Sequence, residues 1–339
     1  MGAKPKLTQA NAAAAESPHS AIRFDGVSMA FPQATHPAIE RISLDVRAGE
    51  FVVLLGPSGC GKTTLLKVVN RLYDPTAGSI SLDSTDIRQL PVTALRRRIG
   101  YVIQQAGLFP HMSVAQNVAV VPKLLGWSKQ QRERRTDELL ELVELPPSIY
   151  RDRYPHQLSG GQQQRVGLVR ALAGDPGVLL MDEPFGAIDA ITRNNLQAEL
   201  LRLQQQFRKT ILFVTHDVDE ALRLADRIAI LQQGKLVQFD TPLQLLTHPA
   251  NEFVRQLMGT DDVLQRLGVV KVEAVMTAWP PGDERNGQPV IARQDNLRQA
   301  LSVLLQTGAS QLMVLEGEQA VGSVNLEGIR QAIGSEAIA

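Results

Sequence analysis

The sequence predicts an α/β fold built on a largely parallel sheet, with a smaller α/β unit after it. Three observations predict this. Short β-branched or apolar runs alternate with longer helical patterns from Ala21 to about Asp240. The runs are strand length, and several end directly in polar residues. A second, shorter alternation of the same kind follows from Val269 to about Ile333.

The strand candidates are Glu50 to Gly56, Arg98 to Ile103, Gly177 to Asp182, Thr210 to His216 and Arg227 to Gln232. In open α/β sheets ligands sit beyond the carboxyl ends of the strands, so Gly56, Gln104, Asp182 and His216 are expected on one rim. Between Gln104 and Ser159 the pattern turns helical without strong strands, a helical insertion over about 105–160, with Ser128 as a plausible N-cap. After Asp240 come two short helical patterns to about Leu267. The last segment reads strand, helix, strand, strand, helix, in "PVIA", "LRQALSVLLQTG", "QLMVLEG", "AVGSVN" and "LEGIRQAI". The turn residues of "PPGDERNG", Pro280 to Gly287, mark a loop. The expected domains are thus a disordered tail over 1–20, read from its Ala, Lys, Ser and Pro content, a large α/β domain over 21–258, and a linker with the small unit over 259–339.

Of the 339 residues, 44% are hydrophobic, enough for a full core, and 35 basic residues balance 35 acidic ones. Zero net charge gives no global pull toward nucleic acid or anionic lipid. "RERR" at Arg132 to Arg135, flanked by acidic residues, reads as a solvated helix face, and "RRR" at Arg96 to Arg98 is read the same way. A single cysteine, Cys60, excludes an intramolecular disulfide and makes a reducing compartment the simplest home. No run approaches the roughly 20 apolar residues of a membrane span.

"GPSGCGKTT", Gly56 to Thr64, fits the phosphate-loop pattern G-x-x-x-x-G-K-[ST] in the required setting of strand, glycine turn and helix. Gly56, Pro57, Ser58, Gly59, Cys60 and Gly61 supply a loop whose N–H groups turn inward around phosphate, and the helix start at Lys62, Thr63 and Thr64 adds its partial positive charge. Lys62 is expected on the β and γ oxygens and Thr63 on Mg²⁺; Cys60 reads as a small tolerated residue without chemistry. "GVLLMDEP" delivers Asp182 for metal holding and Glu183 as general base from the end of an apolar strand. His216 suits a hydrogen bond to a γ-phosphate, and the neutral amide of Gln104 can orient water or bridge to the metal. Phe31 reads equally as an adenine-stacking ring or a packed aromatic. "QLSGGQQQR" places Ser159, Gly160, Gly161 and Gln162 at a second helix start suited to an anion, which poses the question of why one chain needs two.

Together, "GPSGCGKTT", "YVIQQAGLFPH", "LSGGQQQR", "VLLMDEPFGAID" and "FVTHD", in that order, resemble the ATP-binding cassette (ABC) ATPases, a phosphate-loop fold with a helical insertion. The resemblance covers about Ala21 to Asp240. It implies ATP and Mg²⁺ as cofactors and answers that question: Ser159 and Gly161 of one copy close over ATP held by another, with Asp189 at the same interface. It implies as partners a second copy of the chain, transmembrane permease subunits gripped by the insertion and the Gln104 loop, and a separate solute-binding protein, with no nucleic acid. The place implied is the cytoplasmic face of the inner membrane, peripherally. "IGYVIQQAGLFPHMSV" and "MDEPFGAIDAITR" look most like importers of glycine betaine, carnitine, choline and related osmoprotectants. Alternatives are an importer of another small solute, such as an amino acid, and a soluble cassette without a transporter. Val269 to Ile333 is similar to one cystathionine-β-synthase-type (CBS) repeat. Where that family tends to have Thr and Asp for a ribose, this chain has Asn325 and Gly328, which favours dimerisation or ionic-strength sensing over nucleotide binding.

Overall fold

The computed structural model describes residues 20–104, 107–186, 188–260, 262–279 and 288–334. The tail expected over 1–20 and the loop expected at Pro280 to Gly287 lie outside these residues, except that Ser20 already opens the first strand.

The parallel sheet is six strands wide. It comprises β3 (Phe51–Leu55), β6 (Ile99–Val102), β7 (Val178–Asp182), β8 (Thr210–Val214), β9 (Arg227–Gln232) and β10 (Lys235–Asp240), in the order β10-β9-β3-β8-β7-β6. All pairs are parallel except β9 with β10. The three central strands are buried along their whole length, which is why they read as unbroken apolar runs. Their two-residue period sorts side chains between two cores. Phe51, Val53, Leu55, Leu179, Met181, Ile211 and Phe213 face one. Val52, Leu54, Val178, Leu180, Leu212 and Val214 face the other.

The second core is roofed by an antiparallel sheet that the sequence reading did not foresee. It holds β1 (Ser20–Met29), β2 (Ile39–Arg47), β4 (Ala77–Leu82) and β5 (Thr85–Asp86), ordered β2-β1-β4-β5. Its alternating burial leaves one face wet, so these segments never form apolar runs. Helix α1 (Lys62–Val69) buries Leu65, Leu66, Val68 and Val69 in this same core, between the two sheets. Helix α2 (Val92–Arg98) precedes β6.

The helical insertion stands as expected, with α3 (Val114–Val118), α4 (Val120–Leu124), α5 (Lys129–Leu142) and α6 (Pro147–Tyr150) between β6 and α7 (Gly160–Leu172). Ser128 caps α5 in a reciprocal pair with Gln131. Helices α8 (Ala190–Phe207) and α9 (Val218–Leu224) cover the first core with α5 and α7. Three short helices follow β10, not two: α10 (Pro242–Thr247), α11 (Glu252–Met258) and α12 (Val263–Val269). Each has its own capping side chain, Thr241, Asn251 and Asp262, and α11 ends on Gly259 at φ 59°, which breaks what reads as one periodic stretch.

The small unit has its own sheet, order β11-β14-β13-β12, from β11 (Thr277–Ala278), β12 (Val290–Ala292), β13 (Gln311–Glu316) and β14 (Gln319–Asn325). Helices α13 (Leu297–Thr307) and α14 (Leu326–Gly334) complete it. Its core of Leu297, Ala300, Leu304, Leu312, Val314, Val324 and Ile329 is shared with Leu267, Val270 and Val272 from the linker.

Candidate functional site

The loop after β3 is shaped by its glycines. Gly61 sits at φ 107°, where a Cβ would lie 2.5 Å from the Ala38 carbonyl oxygen; at Gly56, φ 150°, a Cβ would overlap the Leu231 carbonyl oxygen. Only glycine fits both positions. Gly61 also precedes α1 without capping it through a side chain, so the N–H groups of the first turn face the loop uncovered. Lys62, 6% exposed, crosses the loop and donates from Nζ to the carbonyls of Gly56 at 2.6 Å and Pro57 at 2.9 Å. Cys60 is buried beneath, its N–H on the Pro57 carbonyl and its thiol pushed above the usual range, first by burial.

Thr63 Oγ1 donates to Asp182 Oδ1 at 2.9 Å, joining the start of α1 to the end of β7. Asp182 is 5% exposed, and burial raises its carboxyl above the usual value; the Thr63 bond opposes this and the Glu183 charge adds to it. Glu183 follows at φ 46°, a left-handed conformation unusual for a residue before proline, fixed by its N–H on the Val214 carbonyl at 3.0 Å. Such a backbone costs of order 1–3 kcal/mol. It aims the Glu183 carboxylate at two partners. Gln104 Nε2 donates to Oε2 at 3.2 Å, and His216 Nδ1 lies 3.3 Å from Oε1.

The structure therefore gathers Gly56, Lys62, Thr63, Asp182, Glu183, Gln104 and His216 on the rim expected of them. A carboxylate between an amide and an imidazole, next to a lysine, a hydroxyl and free helix N–H groups, is equipped to bind a triphosphate and take a proton from water. The hydrogen-bonded cluster does not extend to Ser159, Gly160, Gly161 and Gln162. Ser159 is exposed at the start of α7, in a capping pair with Gln162, whose amide also donates to the Tyr150 hydroxyl at 3.3 Å. Asp189 is likewise apart, capping α8 through the Thr192 N–H at 3.0 Å, and this bond holds its carboxyl below the usual range. Phe31, 36% exposed, meets Tyr73 edge to face at 5.2 Å. Sequence reasoning missed Tyr73, and also Thr215, Gln197 and Glu220, which brace the turn at His216. Only the capping aspartate Asp217 at the start of α9 hinted at that bracing.

Fold and rim together define a phosphate-loop nucleoside-triphosphatase with a helical insertion between strand β6 and helix α7. The chain belongs to the ABC transporter family, as an ATP-binding subunit. The ABC transporter family profile matches residues 39–186. The chain is 48% identical to the glycine betaine/carnitine/choline transport ATP-binding protein OpuCA of Bacillus subtilis, over 87% of its own length and 76% of that protein. It is also 48% identical to the glycine betaine uptake system ATP-binding protein YehX of Escherichia coli, over 87% and 94%. A dimeric ATP-binding cassette in a post-hydrolysis state with ADP and Pi superposes with TM-score 0.61 and 33% identity, over 65% of this chain and 98% of that one. The chain is thus an ATPase whose hydrolysis is coupled to transport, of a kind that dimerises and pairs with transmembrane permease subunits. Among the described residues no helix is long and apolar enough to cross a membrane.

Proposed function

We propose that this chain is the ATP-hydrolysing subunit of an importer for quaternary-amine osmoprotectants such as glycine betaine, carnitine or choline, working with a separate solute-binding protein from the cytoplasmic face of the membrane. The names of its relatives support the solute class. The chemistry is carried by one observation: Glu183 held in a left-handed backbone between Gln104 and His216, beside the Thr63–Asp182 pair.

In this reading Lys62 and the loop N–H groups bind the β and γ phosphates, and Phe31, with Tyr73 against it, stacks on adenine. Thr63, Asp182 and Gln104 fit Mg²⁺, because Asp182 is a buried acid with a hydroxyl partner whose negative charge a cation would restore. The ion would neutralise part of the triphosphate charge. Glu183 accepts the proton of the attacking water, and His216 donates to the γ-phosphate. Ser159 and Gly161 of a second copy complete the pocket, since exposed N–H groups at the start of α7 bind phosphate well yet stand outside their own chain's cluster. Asp189 lies at that same interface.

The cassette spans 21–258, and 259–339 forms a linker and one CBS-like repeat. Asn325 Oδ1 accepts the Gly328 N–H at 2.8 Å, so these two residues satisfy each other at the start of α14. That supports pairing between two copies of the tail over ribose binding.

Phosphate release by Glu183→Gln tests the chemistry: a rate equal to wild type removes Glu183 from its role. Uptake of labelled betaine, choline and an amino acid by cells with and without the gene tests the solute. Dependence of the amino acid alone on the gene refutes the quaternary-amine reading.

A further inference from the structure

The His216 imidazole is 64% exposed, so its ring is placed by its backbone and not by a packed pocket. That backbone is braced from behind. Thr215, 2% exposed, donates its hydroxyl to Glu220 Oε2 at 2.6 Å, and Thr215 Oγ1 in turn accepts the Asp217 N–H at 3.0 Å. Glu220 lies on α9 and is 7% exposed. Its other oxygen accepts from Gln197 Nε2 of α8 at 2.9 Å, and Gln197, 3% exposed, accepts in turn from Arg223 Nη1 at 3.2 Å. A parallel link lies nearer the surface: Arg193 of α8 donates to the Ile188 carbonyl at 3.0 Å and stands 4.0 Å from Asp217 Oδ2. Asp189 caps the start of α8, so the segment carrying Asp189 is wired to both neighbours of His216.

Burying a carboxyl away from water is costly, and a hydrocarbon of similar shape fills such a site at no such cost. Burial raises the Glu220 carboxyl above its usual range, with Asp217 adding to this and the Thr215 and Gln197 bonds and Arg193 opposing it. Two buried bonds aimed at Thr215 and at α8 indicate a purpose in geometry.

We propose that Glu220 is a positioning residue for ATP hydrolysis: by fixing the Thr215 hydroxyl and bridging it to Gln197, it sets the height and direction of His216 relative to Glu183 and keeps that setting in register with α8. The proposal rests on the role assigned above to His216.

The test uses the full chain with Thr215→Val, which keeps the side-chain shape and deletes both hydroxyl bonds, alongside Glu220→Ala, the double variant and His216→Ala. Two readouts are taken: steady-state ATP hydrolysis, and the imidazole NMR signal of His216, identified by its disappearance in His216→Ala. Thr215→Val is expected to lower kcat about 10- to 100-fold, the usual effect of misplacing a reacting group by about 1 Å, with KM for ATP within about twofold of wild type. Its His216 signal moves. Glu220→Ala matches that loss, and the double variant loses no more, because both act through one linkage. Where Glu220→Ala does not fold, Thr215→Val decides. A wild-type kcat, an unmoved His216 signal, or losses that multiply in the double variant each overturn the proposal. His216→Ala hydrolysing at the wild-type rate would instead sink the role of His216 itself.

Discussion

Replacing Ser159 with aspartate separates the capping that this residue performs in its own chain from the phosphate contact that the proposed function gives it toward a second copy. Within its own chain Ser159 caps α7, its hydroxyl accepting the Gln162 N–H at 3.3 Å. Aspartate caps as well as serine, and its charge at a helix N-terminus adds about 0.3–1 kcal/mol, so the variant is expected to melt at or slightly above the wild-type temperature. Toward the second copy the effect reverses. A carboxylate about 4 Å from a γ-phosphate, at an effective dielectric constant of about 20, is repelled by about 4 kcal/mol. That is roughly a thousandfold in rate. Ser159→Gly serves as the control, losing only a few tenths of a kcal/mol as a cap while removing the hydroxyl from the phosphate. Thermal melting and phosphate release are measured on the same preparations. If Ser159→Asp hydrolyses ATP within about tenfold of wild type, Ser159 does not face phosphate, and the two-copy pocket is refuted.

Mixing equal amounts of Lys62→Ala and Ser159→Asp chains, each inactive alone, is expected to restore about a quarter of wild-type phosphate release. Half the dimers are mixed, and each of these has one intact pocket of two; no recovery contradicts a pocket built from two chains. For Asp182→Asn the sign follows from burial. The folded chain holds the Asp182 proton more tightly than the unfolded chain does, so that stability is present at low pH and lost as pH rises through the raised value. The variant should therefore melt higher than wild type at neutral pH, by a margin that narrows toward about pH 4, while hydrolysis is lost; a pH-independent difference in melting counts against the assignment. Gly61→Ala forces a left-handed backbone on alanine against the Ala38 carbonyl, and is expected to cost roughly 1–3 kcal/mol and to abolish ATP binding, as read by nucleotide titration.

Much of the site was legible because its chemistry is local in sequence. Gly56 to Thr64 is one turn between a strand and a helix, and Asp182 with Glu183 is one strand end, so spacing alone announces them. Gln104 and His216 were placed by a weaker inference, that strand ends share a rim, and the strand order β3-β8-β7-β6 bears it out. The antiparallel sheet was not foreseen, because half-wet strands alternate polar and apolar residues and are broken by bulges at Phe24 to Met29. Neither was the bracing of His216, since Gln197 and Glu220 lie 23 residues apart and look like ordinary helix polars until two helices meet.

The sequence by itself determined the parallel α/β core, the phosphate loop and the acidic strand end, for each depends on residues within a few positions of one another. The tertiary structure alone decided that Glu183 is held between Gln104 and His216, that Glu220 is buried behind His216, and that Ser159 and Asp189 stand apart from the phosphate loop of their own chain. Such relations depend on which elements the packed cores bring side by side, and no local spacing encodes that distance.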